Sequence, residues 1–572
     1  MPNHRPRNVA RTPGARRAAR HIRQRVAAAI DFGTFGSGFA WAFISENEKP
    51  IAKRTITFHQ DWPEQAAPYV KTRTALLLNG SGHVLDWGNP ASLRYRREAR
   101  THPDLRLASN FKMSLPKDDR DALVLAAAYL ERLYRYALRL ITEQAQVRED
   151  EIRWCVTVPA IWRDRERNLT RQAAVAAGLP DDPVRLLIAV EPEVATQHCR
   201  GHLQQIEGDD EAADDRAILV IDAGGGTVDL TSFHVDVNGK MTELGRPSGE
   251  ALGGTAVDAA FVRTVLAQRL TVGLLEELEA ELPGAVLEIL ADWERDKRNF
   301  HPDRGSSFNL RLPVPLLRLL DKRGLLADFA ARQGGVDDMF VLTNDEVKAA
   351  FDGAVDPILA LVDNHVGQVS MPITHTFLVG GFAQSPYLRI RLERHLAGRA
   401  TMLVPPNPAS AVLAGAVHFA LDPGLVIARR SPRVYGIATN LPFDDELDPP
   451  DRIYVSSNGQ RLCPDRFEMI VQRNELLPVD TTKQVTLYPV DDDEAELELI
   501  LLSTDAEAPR YAEDAMELGA VTVPIGHTAD RPALERGVVI LLTFGGTEIM
   551  VAASELTTGR TLHHQMTFAS LS

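Results

Sequence analysis

The chain has 572 residues, which is too many for one hydrophobic core, so we expect two to four domains. Its 44% hydrophobic and 25% charged residues are typical of a soluble globular protein, and its net charge of −15 argues against a general nucleic-acid binder. No apolar run is long enough to span a bilayer. Cys155, Cys199 and Cys463 lack metal-like spacing and indicate reduced core residues of a cytoplasmic protein.

The first 25 residues contain eight arginines and no acidic residue. The apolar run that follows, 26–30, is too short for the core of a signal peptide. We therefore predict a solvated, disordered tail over residues 1–25 rather than a nucleic-acid or membrane contact.

The first apolar strand is predicted over 26–31 and ends on Asp31. The short stretch Phe32-Gly33-Thr34-Phe35-Gly36 follows, and a second strand is predicted over 39–44. Helices are predicted over 121–141 and 164–177, and strands over 152–158 and 184–190. Glu191 follows the last of these strands, where α/β sheets place ligands, although an exposed glutamate at a helix start is equally consistent.

A second hairpin repeats the first, with a strand predicted over 217–221, then Asp222, three glycines, Thr227 and another strand over 228–235. Glycines without Cβ atoms let a loop aim several N–H groups at one anion, and Asp222 and Asp229 are near enough to hold a hydrated divalent cation. A strand after the glycines, rather than a helix, separates this loop from Walker A and Rossmann loops. Asp31 and Asp222 stand 191 residues apart, so we expect two related α/β lobes that grip a polyphosphate from both sides.

The third quarter of the chain is predicted to be helical over 258–281, 285–299 and 344–364, and irregular over 304–340. Glu294, Lys297 and Arg298 share one helix face, which indicates either a surface ion pair or a clamp on a ribose or base. A strand over 376–379 precedes Gly380 and Gly381, whose bare backbone would let a flat base or sugar pack on it. A small-residue helix over 407–421 indicates close helix packing or simply a tight core.

From residue 433 onward short strands replace helical periodicity, which predicts an all-β sandwich of about 140 residues. The strands are predicted over 434–439, 467–471, 484–490, 494–502, 537–544 and 548–554.

These ordered motifs resemble the 70-kDa heat-shock (DnaK-type) family of the actin-like ATPase superfamily, in its divergent 12A/12B branch. The two hairpins are similar to that family's phosphate loops, residues 156–162 and 191–193 to its connecting segments, and residues 294–298 and 378–382 to its adenosine-binding pieces. Residues 473–485, 519–524 and 548–559 resemble parts of its β substrate-binding domain. The resemblance implies a duplicated actin-like (ribonuclease H-like) two-lobe ATPase domain over 26–425, a linker over 426–432 and a β-sandwich over 433–572, with no helical lid.

The resemblance also implies ATP/ADP and Mg²⁺ as cofactors and assigns roles by position. Asp31, Asp222 and Asp229 would hold waters around Mg²⁺, with Glu191 helping to order the attacking water. Lys112 would be the catalytic lysine, and Thr34 and Thr227 would bond phosphate oxygens. The predicted catalytic residues are Asp31, Lys112, Glu191, Asp222, Thr227 and Asp229. The predicted nucleotide-binding residues are Gly33, Thr34, Phe35, Gly224, Gly225, Gly226, Thr227, Glu294, Lys297, Arg298, Gly380, Gly381, Phe382 and Gln384.

Several positions depart from the family pattern. Phe35 and Gly36 replace residues of the usual first loop, so one hydroxyl contact to the γ-phosphate is lost. Gln384 stands where an arginine usually packs on adenine, and Ala409 where an aspartate is common. Thr255 and Ala256 replace an acidic pair, and residues 422–432 lack the leucine run that couples ATP state to substrate release.

We therefore expect an ATP-binding, slowly hydrolysing, chaperone-like protein that takes unfolded peptide or a specific client protein. The alternative is a nucleotide-gated scaffold or signalling adaptor with little hydrolysis. A sugar kinase on the same fold is a third hypothesis, which the trailing sandwich disfavours. We expect no nucleic-acid partner, and the oligomeric state stays open.

Overall fold

In the computed structural model, the described residues are 23–117, 119–207, 215–304, 308–456, 459–556, 558, 561–564 and 567–568. Most of the arginine-rich stretch, residues 1–22, therefore lies outside the described residues. Two sheets of the same pattern, a hairpin beside parallel strands, form the larger part of the molecule, and two further sheets pack together toward the C-terminus.

The first sheet is built around the hairpin of Val26–Asp31 and Gly36–Phe43, which we call the first hairpin. Val26–Asp31 is buried along its whole length and pairs in parallel with Ile152–Val158, which pairs in parallel with Leu186–Val190. The short edge strands are Thr57–Phe58 and Thr72–Arg73. A separate three-stranded sheet contains Val84–Trp87, Ala75–Leu78 and Arg106–Ser109.

The second sheet repeats this pattern around Arg216–Ala223 and Val228–Val235, which we call the second hairpin. Arg216–Ala223 is fully buried and pairs in parallel with Ile373–Val379, which pairs in parallel with Thr401–Leu403. The remaining strands of this sheet are Met241–Glu243, Ser248–Glu250, Val426–Arg430 and Leu476–Pro478. The first strand of the first hairpin ends on Asp31, as the sequence predicts, and that of the second hairpin carries Asp222 one residue before its end at Ala223.

Helices cover these sheets and fill the space between them. The α-helices are Gly88–Glu98, Arg120–Ala145, Asp164–Ala176, Glu191–Glu207, Gly254–Ala260, Ala267–Leu270, Val272–Glu281, Pro283–Lys297, Val314–Lys322, Leu326–Ala331, Asn344–Val366, Pro386–Leu396 and Ala411–Leu421. Glu191–Glu207 and Ala411–Leu421 share one buried apolar cluster with both sheets. A Cβ at Gly415 would lie 1.8 Å from the carbonyl oxygen of Val194, so the small residues serve close helix packing.

Two predictions of local structure are wrong. The single helix over 258–281 is interrupted, because Phe261–Leu266 winds as a π-helix and Thr271 takes the left-handed value φ 69°. The segment predicted to be irregular contains two helices, Val314–Lys322 and Leu326–Ala331, framed by the antiparallel pair Phe308–Arg311 and Met339–Leu342. Its apolar residues, among them Leu316 and Leu320, are buried in the core, which fixes structure that periodicity alone did not indicate.

Two antiparallel sheets at the C-terminal end enclose a shared apolar cluster, as expected for a sandwich. One contains Val434–Pro442, Tyr454–Val455, Arg461–Val471, Glu496–Thr504, Met516–Pro524 and Thr567–Phe568. The other contains Thr481–Leu487, Val538–Phe544, Met550–Glu555 and Thr561–His564. Inside this cluster Leu499 and Leu501 of the first sheet and Leu542 of the second are completely buried.

The segment predicted as a linker is ordered in this structure. Val426–Arg430 is a strand, paired in parallel with Met241–Glu243 and antiparallel with Leu476–Pro478. The sandwich also contacts the helix Asp164–Ala176, where Arg171 donates to both carboxylate oxygens of Glu548 at 2.6 Å. The second sheet is therefore joined to the sandwich by strand pairing, and the helix Asp164–Ala176, which packs on the first sheet, is joined to it by an ion pair.

Candidate functional site

The tips of the two hairpins face each other. A Cβ added at Gly225 would lie 2.6 Å from Cβ of Phe35, and one added at Gly226 would lie 2.6 Å from Oγ1 of Thr34. Glycine is needed at these two positions because of this close approach. The repeated motif, 191 residues apart in sequence, is thus brought into one place.

The glycine loop of the second hairpin is fixed by the turn that follows it. The carbonyls of Gly224, Gly225 and Gly226 accept hydrogen bonds from the N–H groups of Gly254, Thr255 and Gly253, at 3.1, 2.8 and 3.2 Å. These three hydrogen bonds satisfy the carbonyl groups of the loop and hold its backbone in one conformation. The loop is therefore preorganised to receive an anion.

A cleft of about 590 Å³ opens between the hairpins. Most of the predicted site residues line it, namely Asp31, Gly33, Thr34, Phe35, Lys112, Glu191, Asp222, Gly224, Gly225, Gly226, Thr227, Glu294, Lys297, Arg298, Gly380, Gly381 and Phe382. Asp229 and Gln384 are not among the lining residues; Ser385 lines the cleft beside the latter.

Acidic side chains crowd the floor of the cleft. Asp31, Asp222 and Asp229 are all nearly completely buried. Burial raises the pKa of Asp222, and the neighbouring carboxylates of Glu191 and Asp229 raise it further. Burial also raises the pKa of Glu191 to about 7, against the opposing charge of Lys112. Such a cluster holds protons or cations tightly.

Lys112 is the buried cation of this floor. Its Nζ donates to Oε1 of Glu191 at 2.8 Å, and only 1% of the residue is exposed. It also lies 5.5 Å from the ring centre of Phe32 and 5.2 Å from that of Trp162. The resemblance implied that Lys112 is the catalytic lysine, and the structure places it against Glu191, inside the cleft.

The segment 156–162 supplies hydrogen bonds that orient the aspartates. Thr157 Oγ1 donates to Oδ1 of Asp31 at 3.1 Å, and the Ile161 N–H donates to Oδ1 of Asp229 at 3.1 Å. Thr157 was not among the predicted site residues. Its place at the end of a buried strand, directly before Val158-Pro159, was the available signal.

The donor set suits a hydrated divalent cation. Oδ2 of Asp229 is buried and has no hydrogen-bond partner among the described residues. A cation, or a water bound to it, would satisfy this oxygen. Within the same described part of the chain, no three His, Cys, Asp or Glu side chains are placed to ligate a metal directly. Carboxylates that hold the waters of the cation, as predicted for Asp31, Asp222 and Asp229, are compatible with both observations.

The far end of the cleft contains the predicted adenosine residues. Glu294 accepts from Nη2 of Arg298 at 2.5 Å and from Arg73, which reaches it from the first sheet. Lys297 donates to the Gly254 carbonyl at 3.0 Å and pairs with Asp258, both of which also line the cleft. The predicted ion pair on this helix face is therefore present between Glu294 and Arg298. A second ion pair, between Glu294 and Arg73, crosses the cleft.

The backbone at Gly380 lies against the second hairpin. Its φ is +92°, and an added Cβ would lie 2.5 Å from Oδ1 of Asp222 and 2.3 Å from the Ala223 carbonyl oxygen. Only glycine fits this position, so the bare backbone predicted at Gly380 is required by packing as well as available to a ligand.

Among the lining residues that the sequence analysis missed are Tyr69, Lys71 and Arg73. Lys71 pairs with Asp31, Arg73 lies 4.0 Å over the Phe35 ring, and the ring centre of Tyr69 lies 5.9 Å from Arg298. They come from residues 69–73, in and just before the strand Thr72–Arg73, which no periodic pattern marks. Their only sequence signal is two basic residues spaced by one.

None of the helices in the described ranges is long and apolar enough to cross a bilayer. Cys155, Cys199 and Cys463 are free and buried, which confirms that they are reduced core residues.

Comparison with known proteins gives a consistent result. A family model described as Hsp70 protein matches residues 124–280. Heat shock 70 kDa protein 12A from Homo sapiens is 26% identical over 94% of this chain and 90% of its own length. Heat shock 70 kDa protein 12B from Homo sapiens is 27% identical, over 95% and 91%. A chaperone protein DnaK from Endomicrobium trichonymphae is 29% identical over 41% of this chain and 34% of its own. Together with the paired hairpins and the cleft between them, these similarities support a place for the chain in the divergent 12A/12B branch of the 70-kDa heat-shock protein family.

Proposed function

We propose that the protein binds ATP with Mg²⁺, hydrolyses it slowly and acts as a cytoplasmic chaperone-like protein. In this proposal residues 26–425 form a duplicated two-lobe ATPase domain. Residues 426–432 connect it to a β-sandwich, 433–572, that binds peptide. Family membership supports nucleotide binding and a chaperone-like role in general terms.

The observation that carries the proposal is the meeting of the two hairpin tips over an acidic floor. Thr34 and Thr227 line the cleft and would bond phosphate oxygens, together with the N–H groups of the glycine loop. The cleft is large enough for a nucleotide, and its far end offers Glu294, Arg298 and the bare backbone of Gly381 to an adenosine. Phosphoryl transfer needs such positioning and charge neutralisation more than covalent chemistry.

Each floor residue has a role in this proposal. Asp31, Asp222 and Asp229 hold the waters of Mg²⁺, which when bound offsets charge on the phosphates. Lys112 faces the terminal phosphate while its bond to Glu191 holds that carboxylate in place. Glu191, whose pKa is about 7, accepts the proton of the attacking water at a carboxylate oxygen.

The first hairpin supports slow turnover. Phe35 brings no hydroxyl to the phosphates, and its ring is instead covered by Arg73 and packed against Gly225. Losing one hydrogen bond to developing phosphate charge lowers a rate by about 10²-fold. Binding should survive because the glycine backbone remains.

Single-turnover hydrolysis of ATP, with and without an unfolded client protein, tests the proposal. We expect slow release of phosphate that requires Mg²⁺ and is accelerated by the client. No turnover above buffer would contradict the enzymatic part, and turnover indifferent to the client would contradict the chaperone part.

The ordered strand Val426–Arg430 favours a second candidate, a nucleotide-gated scaffold or signalling adaptor. Its pairing on both sides ties the sandwich to the second sheet, which leaves less freedom for a cycle of peptide release. Tight ATP binding by calorimetry with negligible hydrolysis, together with capture of one specific protein, would favour this candidate.

A further inference from the structure

Lys71 is a partly buried lysine that lines the cleft, and the family resemblance assigns it no role. Its Nζ lies 2.6 Å from Oδ2 of Asp31, with 17% of the lysine side chain and 3% of the aspartate side chain exposed. Its position before the strand Thr72–Arg73 places it beside the first hairpin, because Thr72 and Arg73 pair with Ser37 and Gly36.

The first hairpin is shaped to admit this lysine. A Cβ at Gly38 would lie 2.2 Å from the Val70 carbonyl oxygen and 3.4 Å from Cγ of Lys71. A Cβ at Gly36 would lie 3.0 Å from the Thr72 carbonyl oxygen and 3.4 Å from Cβ of Lys71. The Gly-Ser-Gly sequence thus lets the segment 70–72 lie close enough for the ammonium to reach Asp31.

Lys112 and Lys71 each pair with a different carboxylate of the acidic floor. Lys112 is bonded to Glu191, and its charge also opposes the raised pKa of Asp229. Lys71 is paired with Asp31, and its charge opposes the raised pKa of Asp222. Every acidic side chain of the floor therefore has a fixed positive charge nearby.

We propose that Lys71 is a nucleotide-specificity residue, whose ammonium, held by Asp31, contacts the terminal phosphate of a nucleoside triphosphate. This inference rests on the proposed nucleotide binding and deepens it. An ammonium has three donors, and Asp31 uses one, so further donors remain for phosphate oxygens. A diphosphate lacks the terminal group that would reach the floor, so Lys71 discriminates between ATP and ADP. The same fixed charge lowers the dependence of ATP binding on a divalent cation.

Calorimetric titration of the full-length protein with ADP and with a non-hydrolysable ATP analogue tests this inference. We expect Lys71→Met to lose about tenfold or more in affinity for the analogue, and less than about twofold for ADP, because one charged contact is removed. Lys71→Arg should stay within about threefold of the wild type for both ligands, because charge is retained. The matched control is Lys348→Met, which removes an exposed lysine of the helix Asn344–Val366, away from the cleft.

The cation dependence is measured by repeating the titrations in EDTA. The wild type should keep more of its affinity for the analogue than Lys71→Met does. Equal losses for both nucleotides, no loss, or tighter binding by Lys71→Met would overturn the inference. Failure of the wild type to bind either nucleotide would overturn the proposed function and this inference together, whereas binding without discrimination overturns the inference alone.

Chemical labelling of the wild type avoids dependence on a folded variant. Acylation of Lys71 by a lysine-reactive ester, followed by mass spectrometry, should be slowed at least about fivefold by the ATP analogue, since a salt-bridged amine is shielded. ADP should change the rate little. Equal protection by both nucleotides, or protection by neither, contradicts a contact with the terminal phosphate.

Discussion

The guanidinium of Arg429 donates from Nε and Nη2 to the two carboxylate oxygens of Glu193, at 2.9 and 2.6 Å. Arg429 belongs to the strand Val426–Arg430, and Glu193 stands two residues after Glu191 on the helix that begins at the cleft. Nη1 of Arg429 also donates to the Gly545 carbonyl in the sandwich. One buried side chain therefore connects the candidate catalytic helix, the connecting strand and the sandwich.

Breaking this pair should destabilise the protein strongly. Arg429→Met leaves Glu193 buried without its partner, which we expect to lower the free energy of unfolding by about 3–5 kcal/mol. Urea unfolding of the full chain measures the loss. The control is Arg399→Met, which breaks an exposed pair with Asp363 and should cost less than about 1 kcal/mol. Equal effects of the two variants would show that burial of Arg429 is not decisive.

Asp222→Asn tests the acidic floor. It keeps the shape of the second hairpin and removes one charge, so we expect ATP turnover to fall about 100-fold or more. ATP binding should change much less, because the glycine loop holds the phosphates through its backbone. Phosphate release and calorimetry measure the two quantities separately, with Asp181→Asn on an exposed loop as the control. Retained turnover in Asp222→Asn would remove this carboxylate from the mechanism.

Glu243, beside the connecting strand, should make stability depend on pH. Burial raises the pKa of its carboxyl to about 7 from 4.5, although the Arg430 N–H donates to it at 2.7 Å. The folded state binds a proton at Glu243 more tightly than the unfolded state does. The free energy of unfolding therefore includes the full contribution of this proton below pH 4.5 and loses it as the pH rises toward 7. Glu243→Gln should therefore gain up to about 3 kcal/mol over the wild type between these pH values. Urea unfolding at a series of pH values checks this, and parallel profiles would contradict it.

The parts of the fold that could be predicted are those that local sequence patterns specify. Each hairpin is a buried run, an aspartate and glycines, so Val26–Asp31 and Val228–Val235 were predicted within their observed bounds. Family resemblance then led to Lys112 and Glu191, which have no shared local pattern and meet only in the fold.

The unpredicted parts depend on long-range pairing. Lys71 and Arg73 reach the cleft because the two-residue strand Thr72–Arg73 pairs with the first hairpin. A strand this short has no hydrophobic periodicity from which it could be predicted. The linker was predicted over 426–432 without a strand, yet Val426–Arg430 is ordered by strands on both sides. Thr271 interrupts the predicted helix through its own positive φ, which the helical periodicity around it did not indicate.

Gly415 should be the least replaceable small residue between the two sheets. An added Cβ would lie 1.8 Å from the Val194 carbonyl oxygen, and neither helix backbone can retreat without opening the shared core. We expect Gly415→Ala to lower the free energy of unfolding by about 1–3 kcal/mol and to slow ATP turnover, because Val194 lies on the helix that begins at Glu191. The matched control is Gly353→Ala, another glycine inside a helix, where an added Cβ meets open space. Gly353→Ala should stabilise the protein by about 0.5–1 kcal/mol, because alanine lowers the backbone entropy of the unfolded chain. A similar change in the free energy of unfolding at the two glycines would contradict close packing at Gly415.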